Sequence, residues 1–165
     1  RRALQLDAVW WIVTPHNPLK NATELMDYGT RLDMCRALTN TIPEIIISDL
    51  ESRLGTNRTY DTMTALCDHY AETDFVMITG MDNALTMHHW YNWRGILATV
   101  ATAHIARPPA WTLVKNCPLR QLRSQNHIRI NRGLAHPLNP HTSFWIMQTP
   151  MLDISSTMIR NLNKL

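Results

Sequence analysis

Five short, mostly apolar runs separated by polar or helix-patterned segments constrain this chain more than any other feature. They are residues 8–13 (AVWWIV), 45–47 (III), 75–79 (FVMIT), 100–106 (VATAHIA) and 144–147 (FWIM). A strand with one wet face alternates apolar and polar residues. A continuous run fits a strand buried on both faces, as in a parallel sheet covered by helices. Between the first two runs, Tyr28, Leu32, Cys35 and Leu38 recur at helical spacing and predict a helix over 28–39. An acidic, glycine-containing loop over 48–57 follows the second run. Thr59 then reads as an N-cap, with Asp61 in the first turn and Met63, Leu66, Cys67 and Tyr70 as the apolar stripe. The third run is broken at Gly80-Met81-Asp82, ahead of a short helix near 84–87 and the aromatic cluster Trp90-Tyr91-Asn92-Trp93. Residues 111–140 are polar and weakly periodic, so no element is assigned there, and 156–165 reads as a closing helix. This alternation predicts an α/β fold, a mostly parallel sheet with helices on both faces.

With 165 residues, 45% of them hydrophobic, the chain suits a single domain over 1–165. The net charge of +3 has no long basic run behind it. Separated arginines and histidines suit a phosphate-bearing small molecule as well as nucleic acid, so charge alone does not choose. Cys35, Cys67 and Cys117 are odd in number, with no Cys-x-x-Cys pair. They read as reduced cysteines of a cytoplasmic protein, without a disulfide framework or zinc site. No apolar run approaches membrane-spanning length, and no signal peptide is visible.

In an open parallel sheet, ligands bind beyond the carboxyl ends of the strands. Lys20 follows the first run, Gly80 and Asp82 the third, Arg107 the fourth, and Ser155, Ser156, Thr157 and Arg160 the last. Singly, each has a plain structural reading as a loop lysine, a tight turn or a helix cap. Four polar clusters on one edge point to a shared site. The hydroxyl cluster opening a helix, with Arg160 close behind, suits a phosphate through free N–H groups, hydroxyls and a guanidinium.

Taken in order, these pieces resemble the bacterial nicotinate-nucleotide adenylyltransferases, the alphaproteobacterial form above all. The matching stretches are residues 6–11 (LDAVWW) with 17–20 (NPLK), 31–34 (RLDM), 48–51 (SDLE) and 58–62 (RTYDT). They continue with 80–83 (GMDN), 90–93 (WYNW), Arg107-Pro108 and 154–160 (ISSTMIR). The resemblance implies a Rossmann-like nucleotidyltransferase fold that transfers AMP from ATP to nicotinate mononucleotide with magnesium assisting. The partners it implies are those two small molecules, with no nucleic acid and no membrane. It places Thr59 and its backbone at the nicotinate carboxylate and Trp90 and Tyr91 beside the pyridine ring. Gly80, Asp82 and Arg107 would line the nucleotide site. Lys20, Ser155, Ser156, Thr157 and Arg160 would hold phosphates. No residue is implied as a metal ligand.

One part of the family pattern is missing. The family opens with a strand and a G-x-F-(D/N)-P-x-H-x-G-H loop, whose two histidines face the ATP phosphates. Residues 1–6 instead resemble the tail of the helix after that loop, so on the order of 20 residues would lie outside this sequence. None of the eight histidines replaces the two. The missing strand is usually central, so the sheet is expected to show a gap with unpaired backbone on both sides. A non-catalytic derivative of the fold is the alternative from another functional class. A sibling enzyme acting on nicotinamide mononucleotide or phosphopantetheine is opposed by Trp90, Tyr91 and the Thr59 region.

Overall fold

All five apolar runs become strands in the computed structural model, which describes residues 1–15, 26–106, 116–130 and 136–147. The strands are β1 (Val9–Ile12), β2 (Ile45–Ser48), β3 (Val76–Gly80), β4 (Ala101–Ile105), β5 (Asn126–Arg129) and β6 (Thr142–Ile146). β5 arises in the stretch that its weak periodicity left unassigned. It is short and half-polar, and it is recruited by pairing with β6 rather than by its own pattern. Each pairing among them is parallel: β1 with β2, β3 with β4, β4 with β6, and β6 with β5.

The helices are α1 (Tyr28–Thr39), α2 (Leu50–Leu54), α3 (Thr59–His69), α4 (Met81–Thr86), α5 (Trp93–Thr99) and α6 (Pro118–Gln121). α1 has the predicted bounds, and Asp27 caps it by accepting from the Thr30 N–H at 3.0 Å. α2 occupies part of the expected loop; at five residues it is too short to show a period, and Gly55 closes it at φ 63°. Thr59 is the first residue of α3 rather than its cap. That position falls to Arg58, which makes no side-chain capping bond. α4 starts three residues earlier than expected, directly from Gly80, and α5 emerges from the aromatic cluster.

The four-stranded sheet, ordered β3-β4-β6-β5, carries apolar groups on both faces. Met77 and Trp145 face Met81, Ala84, Met87, Ile96 and Leu97. Ala101, Ala103 and Phe144 face Leu4 and Ile130 on the other side. Phe144 and Trp145 are 0% and 1% exposed, so truncating either to alanine would cost about 3–5 kcal/mol.

β1 and β2 form a separate two-stranded sheet, so the strands do not make one continuous sheet. Neither β1 nor β3 has a second neighbour among the described strands. Both edges line a cavity of about 690 Å³ bounded by residues 5–12 and 72–78, with Glu51, Thr62, Met63 and Leu66 also lining it. Val9 and Val13 donate their N–H groups toward β2, to Glu44 and Ser48. Strand alternation therefore turns the Trp10 and Ile12 N–H groups away from β2, to the open side. Glu51 is only 8% exposed; one carboxylate oxygen accepts from Thr62 at 3.2 Å, and the other has no hydrogen-bond partner among the described residues. No helix among the described residues is long and apolar enough to cross a membrane.

Candidate functional site

The carboxyl ends of β3 and β4 lie side by side, with Gly80 in register with Ile105. Gly80 ends β3 in extended conformation and caps α4. Asp82 falls in the first turn of α4, where the positive end of the helix favours a carboxylate. One residue before Gly80, Thr79 Oγ1 lies 2.8 Å from His104 Nδ1. His104 Nε2 lies 3.1 Å from Thr102 Oγ1, which contacts Ser143 Oγ at 2.9 Å, and Gln125 donates to Ser143 at 2.9 Å. This polar chain crosses from β3 to the start of β5 beneath the Trp145 ring, whose centroid is 4.8 Å from that of His104. Burial drives the His104 pKa down to about 3, with His127 adding to the effect, so the ring is neutral. Burial lowers the His127 pKa as well, helped by the Arg120 cation.

The second part of the site forms where α3 and α5 begin. Thr56 anchors the approach: its hydroxyl donates to Asp61 at 2.9 Å and accepts from the Arg58 N–H at 3.1 Å. Thr59 and Tyr60 follow on the first turn of α3. Trp90 is half-buried against the core that includes Met81 and Met87, so it is tied to α4 and hence to Gly80. Tyr91 is 56% exposed. Its ring meets Tyr60 edge-on at 6.2 Å, and the Arg58 guanidinium sits over it at 4.4 Å. The close approach of α3 to α5 depends on Gly95. A Cβ there would lie 2.6 Å from the Tyr60 ring and would also run into the Asn92 amide. Sequence distance hid this junction, because Arg58 and Tyr91 are 33 positions apart. The adjacency of a cation to the Thr59 helix start was the only available signal.

At the exit of β1, Arg31 donates to the carbonyls of Thr14 at 2.8 Å and Pro15 at 2.5 Å, and the Tyr28 hydroxyl donates to Val13 at 3.0 Å. These bonds hold the backbone of residues 13–15 just past the end of β1. Of the predicted site residues, Thr59, Gly80, Asp82, Trp90 and Tyr91 are described. Lys20, Arg107, Ser155, Ser156, Thr157 and Arg160 lie outside the described residues. Among those described, no group of three or more His, Cys, Asp or Glu side chains is placed to hold a metal ion.

Comparison with known proteins places this arrangement. The profile of the cytidylyltransferase-like proteins matches residues 1–162. A protein of Cereibacter sphaeroides named "Probable nicotinate-nucleotide adenylyltransferase" is 35% identical over 160 residues, 96% of this chain and 83% of that one. The chain belongs to the cytidylyltransferase-like family, among the nicotinate-nucleotide adenylyltransferases. Proteins of the same name from Ruegeria pomeroyi and a Bradyrhizobium species are 37% and 36% identical. They cover 94% and 97% of this chain, which spans 72% and 83% of theirs. Two solved structures of the Plasmodium falciparum nicotinic acid mononucleotide adenylyltransferase, complexed with APC and with NaAD, share the fold. Their TM-scores are 0.59 and 0.61 at 15% and 16% identity, over 93% of this chain. The chain spans 63% and 64% of those solved chains, under two thirds of their length. The Rossmann-like nucleotidyltransferase fold expected from the resemblance is the fold found.

Proposed function

We propose that the chain transfers AMP from ATP to nicotinate mononucleotide, giving deamido-NAD and pyrophosphate, and that it does so in the cytoplasm. The observation that carries this reading is the junction of the two helix starts. It brings half-buried Thr59 and Tyr60 to the exposed Tyr91, with Trp90 packed on the core that includes Met81, next to Gly80 and Asp82. The names of relatives matched over nearly the whole chain support it, and three unpaired cysteines suit a reducing compartment.

The chemistry needs no covalent nucleophile on the protein. A phosphate oxygen of the mononucleotide attacks the α-phosphorus of ATP as the bond to pyrophosphate breaks. Catalysis rests on positioning and on neutralising charge. In this reading the N–H groups near Thr59 bind the nicotinate carboxylate, and Trp90 and Tyr91 flank the ring. Gly80 lets the nucleotide approach the end of β3, and Asp82 accepts from a ribose hydroxyl. Arg107 lines the nucleotide site, while Lys20, Ser155, Ser156, Thr157 and Arg160 hold phosphates. Magnesium, which the resemblance implies, finds no side-chain cage among the described residues, so the roles given belong to the protein's own groups.

The family's strand and histidine loop have no counterpart in the 165 residues. β1 and β3, each without a second neighbour among the described strands, border a cavity of about 690 Å³ whose lining is mixed, with Asp7, Glu51 and Thr62 beside Trp10, Leu66 and Met77. The test is an assay with ATP and each mononucleotide, on the 165-residue chain and on one extended by the strand and histidine loop of the family. Deamido-NAD made by the extended chain, with the acid preferred over the amide by about 1–3 kcal/mol, is the expected result. Failure of the extended chain to adenylylate either mononucleotide refutes the function.

A further inference from the structure

Arg58 has no assigned role in the reading above; like Arg31, Arg94 and Arg120 it lies over an aromatic ring, and its ring is Tyr91, which the reading places beside the mononucleotide. Its guanidinium is held over the Tyr91 ring at 4.4 Å, at the mouth of the junction between α3 and α5. The arginine pairs formed among the described residues are Arg1 with Glu44, Arg36 with Asp33 and Arg53 with Asp49, and Arg58 joins none of them. The nearest carboxylate in sequence, Asp61, takes the Thr56 hydroxyl instead. The Arg58 backbone is itself fixed, because its N–H donates to Thr56 and its carbonyl accepts from Thr62 at 3.2 Å. A cation is therefore parked on an aromatic face, anchored at its root, with its donor edge uncommitted among the described residues.

We infer that Arg58 is a specificity-determining residue that selects a carboxylate over an amide on the ring bound beside Tyr91. This rests on the mononucleotide adenylyltransferase reading and adds a residue to it. The physical reason is the asymmetry of the guanidinium, which carries five N–H donors and no acceptor. A carboxylate coplanar with the pyridine ring offers two acceptor oxygens to that fork, and the pair is charge-assisted. A carboxamide in the same place offers one oxygen, and its NH₂ group meets another donor. The aromatic support lowers the cost of ordering the long side chain, because Tyr91 already restricts it before the ligand arrives.

The test uses the active full-length enzyme with Arg58→Gln and Arg58→Lys, comparing kcat/KM for nicotinate mononucleotide and nicotinamide mononucleotide. In Arg58→Gln the acid-to-amide ratio should fall by about tenfold to a hundredfold, chiefly through KM for the acid, as expected for losing a charge-assisted pair. Arg58→Lys should lie between, since it keeps the charge and loses the fork. Thermal midpoints should match the wild type, because the side chain is exposed. Equal losses on both mononucleotides would show Arg58 serving a group the two share, and would overturn the inference. An unchanged ratio in an active variant would overturn it alone. A wild-type enzyme that adenylylates neither mononucleotide would overturn the reading beneath it, and the inference with it.

Discussion

His104 Nδ1 stands 2.8 Å from Thr79 Oγ1, and the two residues are register partners on the neighbouring strands β4 and β3. The bond ties the strand ends together one residue before Gly80, where the nucleotide is expected. It also makes stability depend on pH. The His104 pKa in the folded protein is about 3, against 6.5 for the free side chain. Between those values the unfolded chain holds a proton that the folded chain refuses, so stability is full above pH 6.5 and is lost as pH falls toward 3. At about 1.4 kcal/mol per unit, the loss from His104 alone reaches about 2 kcal/mol by pH 5. His127, whose pKa is also lowered, acts in the same direction. Urea melts of wild type and His104→Gln at pH 7, 6 and 5 isolate the effect, and the variant should show the shallower decline. Parallel pH curves would mean that His104 titrates normally.

The open edge of β1 gives a prediction about hydrogen exchange. Trp11 shares the face and phase of Val9 and Val13, so its N–H points to β2, whereas those of Trp10 and Ile12 point to the cavity. In the 165-residue chain the Trp10 and Ile12 amides should exchange at least tenfold faster than that of Trp11, since they gain no ladder bond. Adding the family's N-terminal strand should protect both and raise the urea midpoint, because it would pair the two edges and fill about 690 Å³. Unaltered exchange at Trp10 and Ile12 in the extended chain would mean that the added strand lies elsewhere.

The strands were legible because burial on both faces writes itself as an apolar run, and β1, β2, β3, β4 and β6 all coincide with one. α1 was legible because twelve residues give three turns of periodicity. α2, α6 and β5 were not, since four or five residues show no period and are held by their neighbours. The candidate site was proposed from two sources: Gly80 and Asp82 from the end of the third apolar run, and Thr59, Trp90 and Tyr91 from the family resemblance. Contacts between distant elements carry no such local signal. The meeting of Arg58 with Tyr91 and the bond from Thr79 to His104 depend on packing between elements 25 or more residues apart. Gly95 looked like any helix glycine until the Tyr60 ring was found where its side chain would be.

Arg160 tests the phosphate reading of the C-terminal motif. If Ser155, Ser156, Thr157 and Arg160 hold the triphosphate, Arg160→Ala should weaken ATP binding by about 1.5–3 kcal/mol, the worth of a hydrogen bond to a charged group. Titration calorimetry of the extended enzyme with ATP measures it, and circular dichroism should show the fold intact. Unchanged affinity would leave the hydroxyl cluster as an ordinary helix cap.

Gly95→Ala probes whether the junction between α3 and α5 shapes the mononucleotide site. The added methyl would lie 2.6 Å from the Tyr60 ring, inside contact distance. Tyr60 must then swing away or the two helices must part, and overpacking of this kind costs about 1–3 kcal/mol. Part of that cost is offset because alanine is a better helix former than glycine by about 1 kcal/mol. The net loss of stability should therefore be small, while the site should suffer more. Displacing Tyr60 removes the edge contact on Tyr91 and frees the ring that supports Arg58. The expected outcome is a several-fold rise in KM for nicotinate mononucleotide with KM for ATP nearly unchanged, read from steady-state assays alongside a urea melt. A variant that loses stability but keeps both KM values would show that the junction holds the fold together without shaping the site.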